Sequence, residues 1–139
     1  MSERPDERSN YEIRAEALRE GKAFESRRAQ TLLDSFTAAA LAQSLPTERL
    51  RVRGYGGKGS ASSNVIGWYV RHDHSMGVGT DGKLYRLAVP LGIMERLRGV
   101  TLRPMDPPMV LGAGGRDGDS IDLVDALKRL LPEWDAPPV

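Results

Sequence analysis

The sequence predicts an α+β fold: a long N-terminal helix, an antiparallel β-meander of about four strands, then a short helix and a C-terminal helix packed on one sheet face. Three observations lead there. Apolar residues recur at helical spacing from Tyr11 to Leu45. Strand-like stretches cluster between Arg49 and Val89 instead of alternating with long helices, which disfavours a parallel α/β winding. Asp81-Gly82 separates two of those stretches, a strong hairpin signal if both residues take positive φ in a type I′ turn.

The first element is expected to begin at Tyr11, with Ser9 or Asn10 as its cap and Met1–Asn10 as a disordered lead. Ile13, Ala17, Leu18 and Phe24 lie roughly on one face. Ala29, Leu32, Leu33, Phe36 and Ala40 continue at spacings of three and four. Gly21 costs about 1 kcal/mol relative to alanine and is a candidate bend. Pro46 stops the helix, because the residue before proline is pushed out of the helical region.

Arg49–Tyr55 alternates, with Leu50 and Val52 on one side and Arg49, Arg51 and Arg53 on the other. Gly54–Ser63 reads as a flexible loop. Asn64–Val70, Ser75–Thr80 and Leu84–Val89 read as three strands, and their alternation is too mixed to fix a register. Leu91–Arg98 is a short helix with Leu91, Met94 and Leu97 on one face, ended by Gly99. Val100–Arg103 is a candidate strand, and Pro104–Gly118 is irregular because proline and glycine are dense there. Asp119 or Ser120 then caps a last helix, Ile121–Leu131, closed by Pro132. The expected organisation is a lead over 1–10, a single domain over 11–132 and a tail over 133–139, with Trp134 able to fold back onto the body.

The composition excludes several chemistries. The chain has 139 residues, enough for one core, and no cysteine. Disulfide scaffolds, thiol nucleophiles and cysteine metal sites are therefore ruled out. The longest charge-free stretch, Ser35–Thr47, is shorter than the roughly 20 residues a membrane helix needs. The N-terminal sequence has mixed charge and no apolar run, unlike a signal peptide. A cytoplasmic protein is expected, without membrane insertion. Arginine outnumbers lysine 16 to 4, a bias that fits a GC-rich bacterial or phage genome.

Net charge is only +1, but it is unevenly distributed. Residues 1–48 carry −2, residues 49–103 carry +7 and residues 104–139 carry −4. A basic middle between acidic flanks either neutralises them within the fold or receives an anionic partner.

Candidate sites follow from that middle. Arg49, Arg51 and Arg53 share a strand face with Tyr55, as a phosphate backbone with one stacked base would require, or as a charged edge strand requires. Gly54-Tyr55-Gly56-Gly57-Lys58-Gly59 contains G-x-G-x-x-G, but no helix follows to hold a pyrophosphate. What remains is a mobile loop, or a nest of backbone amides that takes an anion with Lys58 and Arg53. Arg71 and Arg86 complete the cationic set. His72-Asp73-His74 is a weak metal candidate, since H-x-H on a strand directs both imidazoles to one side. Asp117, Asp119, Asp122 and Asp125 fail the calcium-loop pattern at its third ligand and glycine positions.

The leading expectation is a non-enzymatic protein-binding module (an adaptor, secretion-type chaperone or small regulatory subunit). It presents a basic sheet face, Arg49, Arg51, Arg53, Tyr55, Lys58, Arg71 and Arg86, to an acidic protein. A homodimer is expected through the apolar helix end at Phe36, Leu41 and Leu45. The alternatives are nucleic-acid or anionic-ligand binding by the same cations, and metal or acid–base chemistry at His72 and His74. No cofactor is expected.

Overall fold

Helix α1 (Pro5–Ala42) is the largest element of a computed structural model that describes residues 5–55, 58–112 and 120–135. Its 38 residues make a rod of about 57 Å. It starts at Pro5, not at Tyr11, because proline at the first helical position has no amide left unsatisfied. Residues 5–10 of the expected lead are therefore helical, and residues 1–4 lie outside the described residues. The helix runs unbroken through Gly21. It ends ahead of Pro46, where Ser44 turns to a φ of 55° and the Leu45 amide donates to the Ala40 carbonyl.

Strands β1 (Glu48–Arg53), β2 (Ser60–Tyr69), β3 (Met76–Gly79) and β4 (Leu84–Arg86) form an antiparallel meander in chain order. Helix α2 (Ile93–Arg98) follows. A two-stranded ribbon, β5 (Val110–Leu111) with β6 (Ile121–Asp122), precedes helix α3 (Leu123–Leu130). The architecture is the expected α+β fold. The ribbon is a departure within the segment read as irregular and helical, and residues 113–119 of that segment lie outside the described residues. Val100–Arg103 makes only a bridge, from Val100 to Ser63.

The β3–β4 turn also departs from expectation. Gly82 alone takes positive φ, at 80°, while the Gly82 amide donates to the Gly79 carbonyl and the Gly79 amide to the Lys83 carbonyl. This is a three-residue loop with one left-handed position rather than a type I′ turn. Asp81 makes it possible by accepting from the Lys83 amide at 2.9 Å and the Tyr85 hydroxyl at 2.6 Å.

At β3 the sheet is buried on both faces. On one, Ala29, Leu33, Phe36 and Ala40 of α1 pack with Trp68, Val78, Leu84, and Leu123 and Leu127 of α3. Phe36 meets Trp68 and Trp134 edge-on, with ring centroids 5.5 and 6.1 Å apart. Trp134 thus folds back onto the body. On the other face the sheet curls on itself. The Arg53 amide donates to the Leu87 carbonyl and the Val89 amide to the Arg53 carbonyl, so the chain after β4 reaches β1. The curl encloses Leu50, Val52, Ala61, Val65, Tyr85 and Leu87. Gly77 permits it, because a Cβ there would stand 2.5 Å from Leu50 Cδ1. That side of the sheet is closed over its own core, and what stays open is the opposite side of β1 and β2, where Arg49, Arg51, Arg53, Asn64 and Ile66 are exposed. Among the described residues no helix is long and apolar enough to cross a membrane.

Candidate functional site

The cations of β1 are arranged by an interruption in its pairing with β2. Register runs Arg49 to Ile66 and then Arg51 to Ser62, so three residues of β2 oppose Leu50 alone. The stranded backbone groups find other partners. Ser63 Oγ donates to the Leu50 carbonyl at 2.8 Å and accepts from the Val65 amide at 3.1 Å. The Arg51 amide donates to Tyr69 Oη at 2.9 Å. The Arg49 guanidinium donates to the Ser63 carbonyl at 3.0 Å.

Alternation along β1 buries Leu50 and Val52 and exposes Arg49, Arg51 and Arg53. The Arg51 guanidinium donates to Ser62 Oγ and Ser60 Oγ, 3.0 and 3.1 Å away on the neighbouring strand. Among the described residues no carboxylate lies in ion-pair range of Arg49, Arg51 or Arg53. Neutral oxygens of serine residues hold Arg49 and Arg51 without neutralising them, and Arg53 is exposed on the same strand face, so the surface stays positive.

Two more cations come from α2, and charge counting along the sequence does not single them out. Arg98 shares a shallow groove with Arg49, Ser62, Asn64 and Thr101. The Arg96 guanidinium lies across Gly59, where an added Cβ would be 2.4 Å from Nε. The available signal was basic residues in the last turn of a helix ended by Gly99, which complement the helix dipole. Beside them Ile93, Met94 and Leu97 are exposed, and α2 buries none of its residues. Of the face predicted for this helix, Met94 and Leu97 are uncovered, whereas Leu91 precedes the helix and packs against the second core.

The other candidates differ in exposure. Tyr55 is exposed just past Arg53, and Lys58 is exposed beyond Gly56 and Gly57, which lie outside the described residues. Arg86 is exposed on β4. Arg71 does not join them. It sits half-buried after β2, donating to the Leu111 carbonyl at 3.2 Å with Nε 3.4 Å from Asp73 Oδ1. Burial opposes ionisation of Asp73, but the Ser75 hydroxyl and amide and the Arg71 guanidinium hold its carboxyl below the usual value.

His72 and His74 belong to a tight turn, where the His74 amide donates to the Arg71 carbonyl and His74 has a φ of 59°. The strand geometry that would align their imidazoles does not form. His74 instead stacks on Tyr69, with centroids 3.9 Å apart and planes 7° from parallel. Among the described residues no three histidines and carboxylates converge as a metal site would need. The apolar helix end is also corrected. Phe36 is wholly buried in its own core and Leu45 is half-buried, which leaves Leu41 exposed. Comparison with family models, curated proteins and solved structures finds no match, so the site is read from its geometry alone.

Proposed function

We propose that the chain is a non-enzymatic protein-binding module whose β1–β2 outer face receives an acidic segment of a partner protein. The observation that carries this reading is the set of guanidiniums on that face held by serine oxygens and a carbonyl, with no carboxylate partner among the described residues. A carboxylate-bearing segment would supply the missing counter-charge, with bidentate contacts that arginine is shaped to make.

The neighbouring chemistry favours protein over nucleic acid. Bases need aromatic platforms, and Tyr55 is the exposed aromatic closest in sequence to these arginines. The aliphatic side chains of α2, next to Arg96 and Arg98, suit an interface where apolar contacts adjoin charged ones.

The test is fluorescence anisotropy with a labelled oligo-glutamate peptide and a labelled single-stranded oligonucleotide, at about 50 mM salt where phosphate contacts are strongest. The peptide should bind, and the triple variant Arg49→Ala/Arg51→Ala/Arg53→Ala should weaken it by about tenfold or more. Failure of the peptide to bind would defeat the reading. Tighter binding of the oligonucleotide, with a steep salt dependence, would reassign the face to nucleic acid.

A further inference from the structure

The first half of α1 leaves the body. At about 100° per residue, Tyr11, Ile13, Ala17, Leu18, Gly21 and Phe24 fall within one half of its circumference. Glu12, Glu16, Arg19, Glu20 and Arg27 occupy the other half. The four large apolar side chains are 61–76% exposed, and an added Cβ at Gly21 would meet nothing within 4 Å. Local side-chain pairs add only a few tenths of a kcal/mol each to such a helix, about 0.2–0.5. Glu12, Glu16 and Glu20 repel at successive spacings of four, and short helices in water rely on tertiary packing.

We infer that this arm pairs antiparallel with the same arm of a second copy, about a two-fold axis at Leu18. The face is self-complementary in that orientation. Around the centre of the face, Tyr11, Leu18 and Glu25 lie to one side and Ile13, Ala17 and Phe24 to the other. A two-fold axis sets each side against itself with height reversed. Leu18 then meets Leu18, Ile13 meets Phe24, and Tyr11 meets Glu25 of the second copy. Ala17 and Gly21 at the crossing let the two backbones approach.

Charge agrees. Arg14 lies near the centre of the face, has no partner among the described residues, and leans toward the helix N-terminus as helical side chains do. That direction brings it to Glu25 of the second copy. Glu25 is set for it, because Oε2 accepts from the Met109 amide at 2.9 Å and Oε1 has no partner among the described residues. The bodies lie at opposite ends of the paired arms, and the Asp106–Pro108 segment that reaches back along α1 shares a groove with Arg19 and Lys22, on the side of the helix away from Leu18 and Phe24. An overlap of about 15 residues, some 22 Å, is at the small end of specific interfaces, so association in the micromolar range is expected.

Because the chain has no cysteine, single replacements map the pairing directly. Ile13→Cys and Phe24→Cys chains, mixed and oxidised, should form the mixed disulfide in preference to either self-linked product, and Leu18→Cys should link to itself. Sedimentation of the unmodified chain up to about 100 μM should show a monomer–dimer equilibrium. Leu18→Glu should shift it toward monomer by tenfold or more with unchanged circular dichroism. A monomer at every concentration, or self-linked Ile13→Cys as the dominant product, would overturn the inference. Leu18→Glu keeps every arginine of the β1–β2 face. Peptide binding by this monomeric variant separates failure of the arm pairing from failure of the basic-face reading.

Discussion

The two halves of α1 are one continuous helix in two different situations. From Ala29 onward, Ala29, Leu33, Phe36 and Ala40 are wholly buried against the sheet and α3. Before it, Tyr11, Ile13, Leu18 and Phe24 stand largely in solvent. Both halves show apolar residues at helical spacing. Periodicity therefore reports which side of a helix is apolar, and something else decides what covers it. In the second half that cover is Trp68 and Trp134, which grip Phe36 edge-on from two directions.

The sharpest way to break this comparison is to truncate the same residue type in each half. Phe36→Ala removes a fully buried ring and should cost about 3–5 kcal/mol. Phe24→Ala should change the stability of the monomer by less than about 0.5 kcal/mol. Urea unfolding at low protein concentration measures both. Equal midpoint shifts would mean that the arm is packed after all.

Glycine extends the comparison to the sheet. A Cβ at Gly67 would stand 1.9 Å from the Val78 carbonyl oxygen, a backbone atom that cannot move without breaking the β2–β3 ladder. Gly67→Ala should therefore destabilise by about 1–3 kcal/mol or more, seen as a lower melting temperature. An unchanged melting temperature would show that the central strands are looser than their spacing implies.

Much of this was legible in the sequence, and the misses have physical causes. The alternation of Leu50 and Val52 against three arginines placed β1 and its outward cations correctly. The interruption opposite Leu50 was not legible, because it depends on Ser63 and Tyr69, residues far along the chain whose hydroxyls replace ladder bonds. Charge counting groups Arg71 with the β1 arginines because it ignores position, yet a turn carries it to Asp73 and Leu111. Arg96 and Arg98 join the face through the close approach of Gly59 and Gly99 to neighbouring groups, a tertiary event with no local signature. The apolar neighbours of Phe36 suggest an interface, but the ring is wholly buried in the core of its own chain.

Ser63 tests the interruption at about the same scale as Gly67. Its hydroxyl is the partner of both the Leu50 carbonyl and the Val65 amide. Ser63→Ala leaves both buried groups unpaired and should cost about 1–3 kcal/mol in urea unfolding. It should also weaken peptide binding, because without the hydroxyl the backbone at residue 63 is less firmly held, and its carbonyl positions Arg49.

Tyr85 gives a smaller, pH-dependent effect. Burial, then the hydrogen bond to Asp81 and the charge of that carboxylate, push its hydroxyl from 10.0 to about 12. The neutral phenol is favoured in the folded state. Its contribution is therefore complete below about pH 10, the unfolded value, and is lost as pH rises through about 12. Tyr85→Phe should flatten stability between those limits and cost about 1 kcal/mol near pH 8. A variant with the same alkaline slope as the parent chain would place the titration elsewhere.

The smallest expected effect is the most discriminating for α1. Gly21→Ala improves helix propensity by about 1 kcal/mol, and the added methyl meets open space. In a packed helix that gain would raise global stability. In an arm that buries nothing in the monomer, it can act only on local opening. At concentrations too low for pairing, the urea midpoint should stay where it is, while amide exchange over residues 10–24 slows about fivefold. A midpoint that rose by the full amount would mean that the first half of α1 unfolds together with the core, and the two halves would then be one cooperative unit.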